Sequence, residues 1–203
     1  MSVLVVGAGG HAKVVVATLQ ALGKGVDGCL DDDPEAAGRS VLGVPVIGSI
    51  DRLRGYTGDA VLGIGSNRVR QALALSYAGV AWLTAVHPAA TVHPSVDIGA
   101  GTVVFAGAVV QPDVRVGAHA ILNTGCSVDH DGTVGQFAHV APGVHLSGNV
   151  TVGEGGFVGV GACVIPGVTI GEWGVVGAGS AVVCDLPANA TSLGVPARPR
   201  DQS

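Results

Sequence analysis

The chain has 203 residues, of which 34 are glycine, a share well over twice the roughly 7% of an average soluble protein. Apolar residues make up 48% of it, yet it holds only three Phe, two Trp and two Tyr, so any core is filled by Val, Ile, Leu and Ala in thin, regular layers. High hydropathy with 12% charge excludes disorder, glycine without a three-residue period excludes collagen, a net charge of −5 disfavours nucleic acid as a partner, and no apolar run reaches membrane length.

The chain opens on Met1-Ser2-Val3-Leu4-Val5-Val6, which reads as a strand with no basic leader and makes the cytoplasm the default compartment. Gly7-Ala8-Gly9-Gly10-His11 follows, then a helix-like segment from Ala12 to Leu22 stopped by Gly23. Gly28-Cys29-Leu30 is a second strand leading to Asp31-Asp32-Asp33 and ended by Pro34. Further strands are expected at Val44 to Ile47 and Ala60 to Ile64, a helix at Arg68 to Ala78, and a last strand at Val80 to Val86 that bridges into the second half. Strand, glycine turn, helix, strand is the order of a Rossmann-like parallel α/β domain, here residues 1–85. Gly7, Gly9 and Ala12 spell GxGxxA, with Asp31 about twenty residues on. A domain this short lacks the two halves of a dinucleotide fold, so the expectation is a site for one nucleotide-like group. Its phosphates would lie over the glycine turn and helix N-terminus, with Asp31 or Asp32 accepting from base or ribose.

From Val86 the pattern changes. Every sixth residue from Val86 to Val182 is Val, Ile or Leu, and the residue four places after each is small. Neither a helix at period 3.6 nor an alternating strand does this for almost a hundred residues. A β-solenoid does. The aliphatic of each hexad is expected to point inward, the small residue to sit near a corner, and glycine to ease the turns. The repeat occupies 86–185, with 186–203 left as a C-terminal tail.

Four cysteines, Cys29, Cys126, Cys163 and Cys184, lack metal-type spacing and sit among apolar neighbours, as reduced packing residues do. Of seven histidines, His130 stands out, because Asp129-His130-Asp131 places an imidazole between two acids on a rigid coil. A carboxylate on imidazole fixes its tautomer and stabilises the imidazolium. His139 lies nine residues on, one and a half hexads further along the solenoid. Neighbouring subunits bring two such side chains together more easily than one subunit does.

Gly7-Ala8-Gly9-Gly10-His11, Leu30-Asp31-Asp32, Ile64-Gly65-Ser66-Asn67, Ile121-Leu122-Asn123-Thr124, Asp129-His130-Asp131, Phe137-Ala138-His139-Val140, Ser147-Gly148-Asn149-Val150 and Gly194-Val195-Pro196-Ala197-Arg198 together resemble the bacterial sugar O- and N-acetyltransferases of the hexapeptide-repeat group. The resemblance covers nearly the whole chain. It implies a left-handed parallel β-helix with three hexads per coil, a homotrimer with clefts between prisms, and acetyl-CoA as cosubstrate with no metal. By position it implies His130 as general base, Asp131 as its polarising acid and Asn123 beside it. His139, Gly148 and Ala178 match positions along the acetyl thioester and coenzyme, although Ala178 departs from the Gly of relatives. Gly10, His11, Asp31, Asp32 and Asn67 match the region that holds the nucleotide of the sugar substrate.

The expected reaction is direct acetyl transfer from acetyl-CoA to the amino group of a nucleotide-linked amino-deoxysugar. The enzyme aligns the nucleophile, removes its proton, and stabilises the oxyanion with a backbone N–H or His139. The alternatives are O-acetylation of sialic acid or a similar sugar, a zinc-dependent carbonic anhydrase-like prism, a Cys126 nucleophile, and a non-catalytic nucleotide-sugar scaffold.

Overall fold

A computed structural model describes residues 3–200. The first half forms β1 (Val3–Val6), α1 (Gly10–Ala21), β2 (Val26–Leu30), β3 (Ser40–Val41), β4 (Val44–Gly48), β5 (Asp59–Leu62), α2 (Asn67–Ser76) and β6 (Ala81–Trp82). These strands make one sheet in the order β3-β4-β2-β1-β5-β6, parallel except for the β3–β4 pair. β1 is buried along its whole length, as a strand covered on both faces must be. Val3 and Val5 pack with Ala12, Val15, Val16 and Leu19 of α1, while Leu4 and Val6 pack on the other side with Leu62 and Ala74. The expected bridging strand, Val80 to Val86, is two strands: Ala81–Trp82 closes the first sheet and Ala85–Val86 opens the second half. The break at Leu83 and Thr84 is where the chain leaves one sheet for the other.

The second half is the left-handed β-helix. Two-residue strands recur every six residues from Ala85–Val86 to Ala181–Val182 and stack into three sheets. Each strand pairs in parallel with the strand eighteen residues away, as in Val104 with Leu122 and Leu122 with Val140. Three hexads therefore make one coil. From Val104 onward the hexad aliphatics are essentially buried, and the small residues Ala108, Ala120, Cys126, Ala138 and Ala162 have no exposure at all. Of the segment expected as a C-terminal tail, residues 201–203 lie outside the described residues, and the rest continues the prism. Thr191–Leu193 pairs with Val175–Val176, Arg198–Pro199 returns antiparallel on it, and Ala197 is fully buried in the prism core.

The corners show more than glycine alone predicts. From residue 101 to residue 179 the same place in every hexad adopts positive φ, the left-handed region that L side chains enter at a cost of about 1–2 kcal/mol. Glycine takes most of these places, but Asp113, His119, Asp131, Phe137, Asn149 and Trp173 hold the others. Along one edge the series runs Gly101, His119, Phe137, Gly155, Trp173. The His119 and Phe137 rings stack at 5.4 Å with an interplanar angle of 4°, and Trp82 meets His119 edge-on at 5.3 Å.

That edge is where the first domain docks, through the start of α2. Arg70 is 1% exposed. Its Nε donates to the His119 carbonyl at 3.1 Å. Its Nη2 donates to the Phe137 carbonyl at 2.7 Å, with Ala138 at 3.3 Å and Asn67 Oδ1 at 3.0 Å, and Nη1 donates to the carbonyls of Ile64 and Gly65. Asn67 Nδ2 adds the carbonyls of Gly155 and Gly156, and the Arg68 guanidinium lies 3.4 Å from the centre of the Trp173 ring. No coil N–H among the described residues takes the carbonyls of His119, Phe137 and Gly155, so the helix supplies the donors that buried acceptors require. Arg70→Met leaves the His119 and Phe137 carbonyls without partners and is expected to cost at least about 3 kcal/mol. Urea denaturation measures it, and a loss below about 1 kcal/mol contradicts the clamp.

Candidate active site

His130 sits in the corner that joins the six-stranded sheet to the five-stranded one, between Ser127–Val128 and Thr133–Val134. The coils hold it firmly. Asp131 N–H donates to the Pro112 carbonyl at 3.1 Å, and Asn149 N–H donates to the His130 carbonyl at 2.9 Å. Asp131 takes the left-handed corner place, φ 58°, which aspartate tolerates better than most residues. That backbone turns its carboxylate onto its neighbour: Asp131 Oδ2 lies 2.8 Å from His130 Nδ1, and Asp129 Oδ1 accepts from His130 N–H at 3.0 Å. The Asp131 hydrogen bond, reinforced by both carboxylate charges, lifts the His130 pKa above its ordinary value. With Nδ1–H assigned to Asp131 by this bond, Nε2 is left as the acceptor. Both side chains are over half exposed, at 56% and 53%.

His139 is in a different environment. It lies on the eight-stranded sheet, the face opposite the His130 corner, so one chain does not bring the two imidazoles to one substrate. His139 is buried. Burial first, then the charges of Arg70 and His11, push its pKa down to about 3, and it is neutral. Thr124 N–H donates to Asn123 Oδ1 at 2.8 Å, which turns Asn123 Nδ2 toward His139 Nε2 at 3.0 Å. His139 Nε2 is thereby the acceptor and Nδ1 carries the proton. His139 is thus a prop for the Asn123 amide, and it does not present an N–H to an oxyanion through Nε2. Phe157 meets it edge-on at 5.2 Å, and His11 lies at 6.1 Å. Cys126 is fully buried with its thiol pushed up to about 12 by desolvation, which removes the nucleophile alternative. Cys29 is buried as expected, whereas Cys163 and Cys184 are exposed free thiols.

In the first domain, α1 begins at Gly10 with Gly9 as a cap that offers no side-chain hydrogen bond. A Cβ on Gly9 or Gly10 would meet nothing within 4 Å, so the chain's own packing does not demand glycine there. Bare amides at a helix N-terminus suit an anion. His11 lies beside them, its pKa lowered to about 4 by burial and then by Arg70. The acids are placed differently from the expectation. Both Asp31 oxygens already accept backbone N–H groups, of Ala8 at 2.7 Å and Asp33 at 3.0 Å, so Asp31 holds the glycine turn. Asp32 gives one oxygen to Ile50 N–H at 2.8 Å and keeps the other. A cleft of about 420 Å³ opens beside them between Asp31–Pro34 and Val46–Ser49. Asn67, expected near the nucleotide, spends its amide on the prism. It also lines a second cleft of about 340 Å³ with Gly65, Arg68, Phe157 and Trp173.

Gly148 is buried against His130, one coil away, and Ala178 is exposed at its corner. Sequence reasoning missed Arg70, Arg68, Phe157 and Trp173, whose partners across the domain contact or on the next coil are not neighbours in sequence. Among the described residues, no three His, Cys, Asp or Glu side chains gather as metal ligands.

Three imidazoles, those of the half-buried His11 and the buried His119 and His139, have pKa values lowered to about 4, 4 and 3. The unfolded chain takes up their protons first, near pH 6.5, so stability is full above that pH and falls as pH drops toward 4. The slope is about 1.4 kcal/mol per pH unit for each histidine. The urea midpoint is therefore expected to fall clearly between pH 7.5 and 5, and a flat midpoint contradicts the neutral cluster.

The sequence pattern of the PglD N-terminal domain family matches residues 2–76. Over almost its whole length the chain is similar to PerB from Caulobacter crescentus, solved with CoA and GDP-perosamine. They share 44% identity, the match covers 98% of this chain and 97% of that one, and the TM-score is 0.93. The acetyltransferase domain of PglB from Neisseria gonorrhoeae FA1090, solved with acetyl coenzyme A, is similar at 40% identity over 98% of each chain, with a TM-score of 0.93. Uncharacterized protein L142 of Acanthamoeba polyphaga mimivirus is 31% identical over 98 residues, 48% of this chain and 20% of that protein, so the chain spans a minor part of that relative's length. With its prism, its docked α/β domain and these full-length likenesses, the chain belongs to the hexapeptide-repeat family of acetyl-CoA-dependent sugar N-acetyltransferases.

Proposed function

We propose that the chain transfers acetyl from acetyl-CoA to the amino group of a nucleotide-linked amino-deoxysugar, with His130 as general base. The observation that carries this reading is the 2.8 Å bond from Asp131 to His130 Nδ1, which leaves Nε2 free to take a proton. The amine nitrogen attacks the thioester carbonyl carbon, the carbon–sulfur bond breaks, the coenzyme leaves as thiolate, and the amine proton passes to His130 Nε2. Asp131 stabilises the resulting imidazolium. Asn123, its amide oriented by Thr124 and His139, keeps a second Nδ2–H for the developing oxyanion. The coenzyme's thioester and pantetheine arm are assigned to the surface that includes His139, Gly148 and Ala178. The nucleotide is assigned to the first domain, with its phosphates on the Gly10 and His11 amides and its base or ribose in the cleft at Asp32.

The working unit of this proposal is a homotrimer. His130 occupies a prism corner and His139 the opposite face, so a site that uses both takes one from each of two chains, as a closed ring of three prisms allows. The proposed compartment is the cytoplasm, where the exposed free thiols Cys163 and Cys184 stay reduced.

With GDP-perosamine or a UDP-linked 4-amino sugar, purified protein is expected to release free thiol from acetyl-CoA. His130→Ala should lower the rate by roughly 10²–10⁴, and Asp131→Asn should lower it less while moving the acid limb of the pH profile down. Turnover by His130→Ala equal to wild type overturns the base assignment, and failure with every nucleotide aminosugar overturns the substrate class. Co-expressed His130→Ala and His139→Ala chains should recover activity in mixed trimers, at about a quarter of all sites for random assembly. No recovery contradicts the shared site.

A further inference from the structure

We propose that Gly148 is a positioning residue for the base: its missing side chain is what allows the His130 ring to lie against the next coil while bonded to Asp131. This inference rests on the assignment of His130 as the base. Residues 112, 130, 148 and 166 occupy one place in four successive coils and are Pro112, His130, Gly148 and Pro166. Of the two coils flanking His130, the one carrying Gly148 receives its ring. A Cβ built on Gly148 would stand 2.6 Å from His130 Cε1, 2.7 Å from Nε2 and 3.2 Å from Nδ1, well inside van der Waals contact.

The glycine is not explained by its backbone. Gly148 is outside the positive-φ set that the neighbouring corner residue Asn149 belongs to, so alanine enters that conformation without strain. No other atom stands among the three nearest to the would-be Cβ, and the carbonyl of Gly148 accepts from Gly167 N–H as any residue's would. What an added methyl meets first is therefore the imidazole. With His130 more than half exposed, the ring has solvent to swing into, and that swing breaks the 2.8 Å bond to Asp131. The base then loses both its fixed direction and the carboxylate that holds its pKa up.

The test is Gly148→Ala in the full chain. Its thermal midpoint should match wild type, because the fold loses nothing. Its kcat, with acetyl-CoA and whichever nucleotide aminosugar wild type accepts, should fall roughly tenfold to a hundredfold. Any rise in KM for acetyl-CoA, on whose proposed surface Gly148 also lies, should be smaller than the fall in kcat, and the acid limb of kcat should move to lower pH. Independently of turnover, ¹³C-labelled histidine followed by NMR, with the His130 signal assigned by its absence in His130→Ala, should titrate above about 6.5 in wild type and nearer 6.5 in Gly148→Ala. An unchanged His130 titration with normal kcat and a raised KM for acetyl-CoA assigns Gly148 to the coenzyme alone and overturns the proposal. If wild type acetylates no aminosugar, the proposed function fails while the titration still decides the positioning role.

Discussion

One buried guanidinium organises this molecule. A left-handed corner turns a backbone carbonyl out of the coil ladder, and along one edge of the prism three such carbonyls, of His119, Phe137 and Gly155, have no coil N–H to satisfy them. Arg70 and Asn67, on the first turn of α2, donate to all three. Among the described residues Arg70 has no carboxylate partner. Its charge is instead spread over five carbonyls and one amide oxygen, and burial lowers its pKa only to about 10, so it stays charged at neutral pH. Carbonyl dipoles do here what a counterion does in a buried ion pair, and removal of the cation would orphan several acceptors together.

That charge divides the histidines into two kinds. Near it, His11, His119 and His139 are desolvated first and repelled by Arg70 second, and they stay neutral. At another corner of the prism His130 meets solvent and carboxylates, which favour its charged form. One residue type thus supplies fixed packing and orientation at one place and a proton acceptor at another, and environment alone makes the distinction. The same docking gives the domains a joint core, since α1 and β1 pack with Ala85, Val103, Phe105 and Ile121 of the prism. The proposed nucleotide cleft is therefore held at a fixed distance from the prism wall.

The corners show how a repeat makes room for chemistry. Glycine relieves the left-handed strain where nothing else is needed. Where a side chain appears there, as at His119, Phe137 and Trp173, it builds the docking edge, and at Asp131 it aims a carboxylate at the base. The fold tolerates that strain because the coils above and below fix both ends of every turn.

By itself the sequence determined the hexad period, the inward aliphatics and the histidine flanked by acids, because these depend on neighbours within one turn of a regular lattice, while three hexads to a coil was what the family resemblance implied. The order of strands and helices in the first half was legible for the same reason, and so was the Asp131 to His130 pair, whose members are adjacent. Tertiary structure alone decided that Asp31 holds the glycine turn, that Asn67 and Arg70 belong to the domain contact, that His139 is a neutral prop, and that Gly148 faces His130. Each of those outcomes depends on a partner from 16 to 89 residues away, as Asn123 is from His139 and Asn67 from Gly156, and no local spacing records such a meeting.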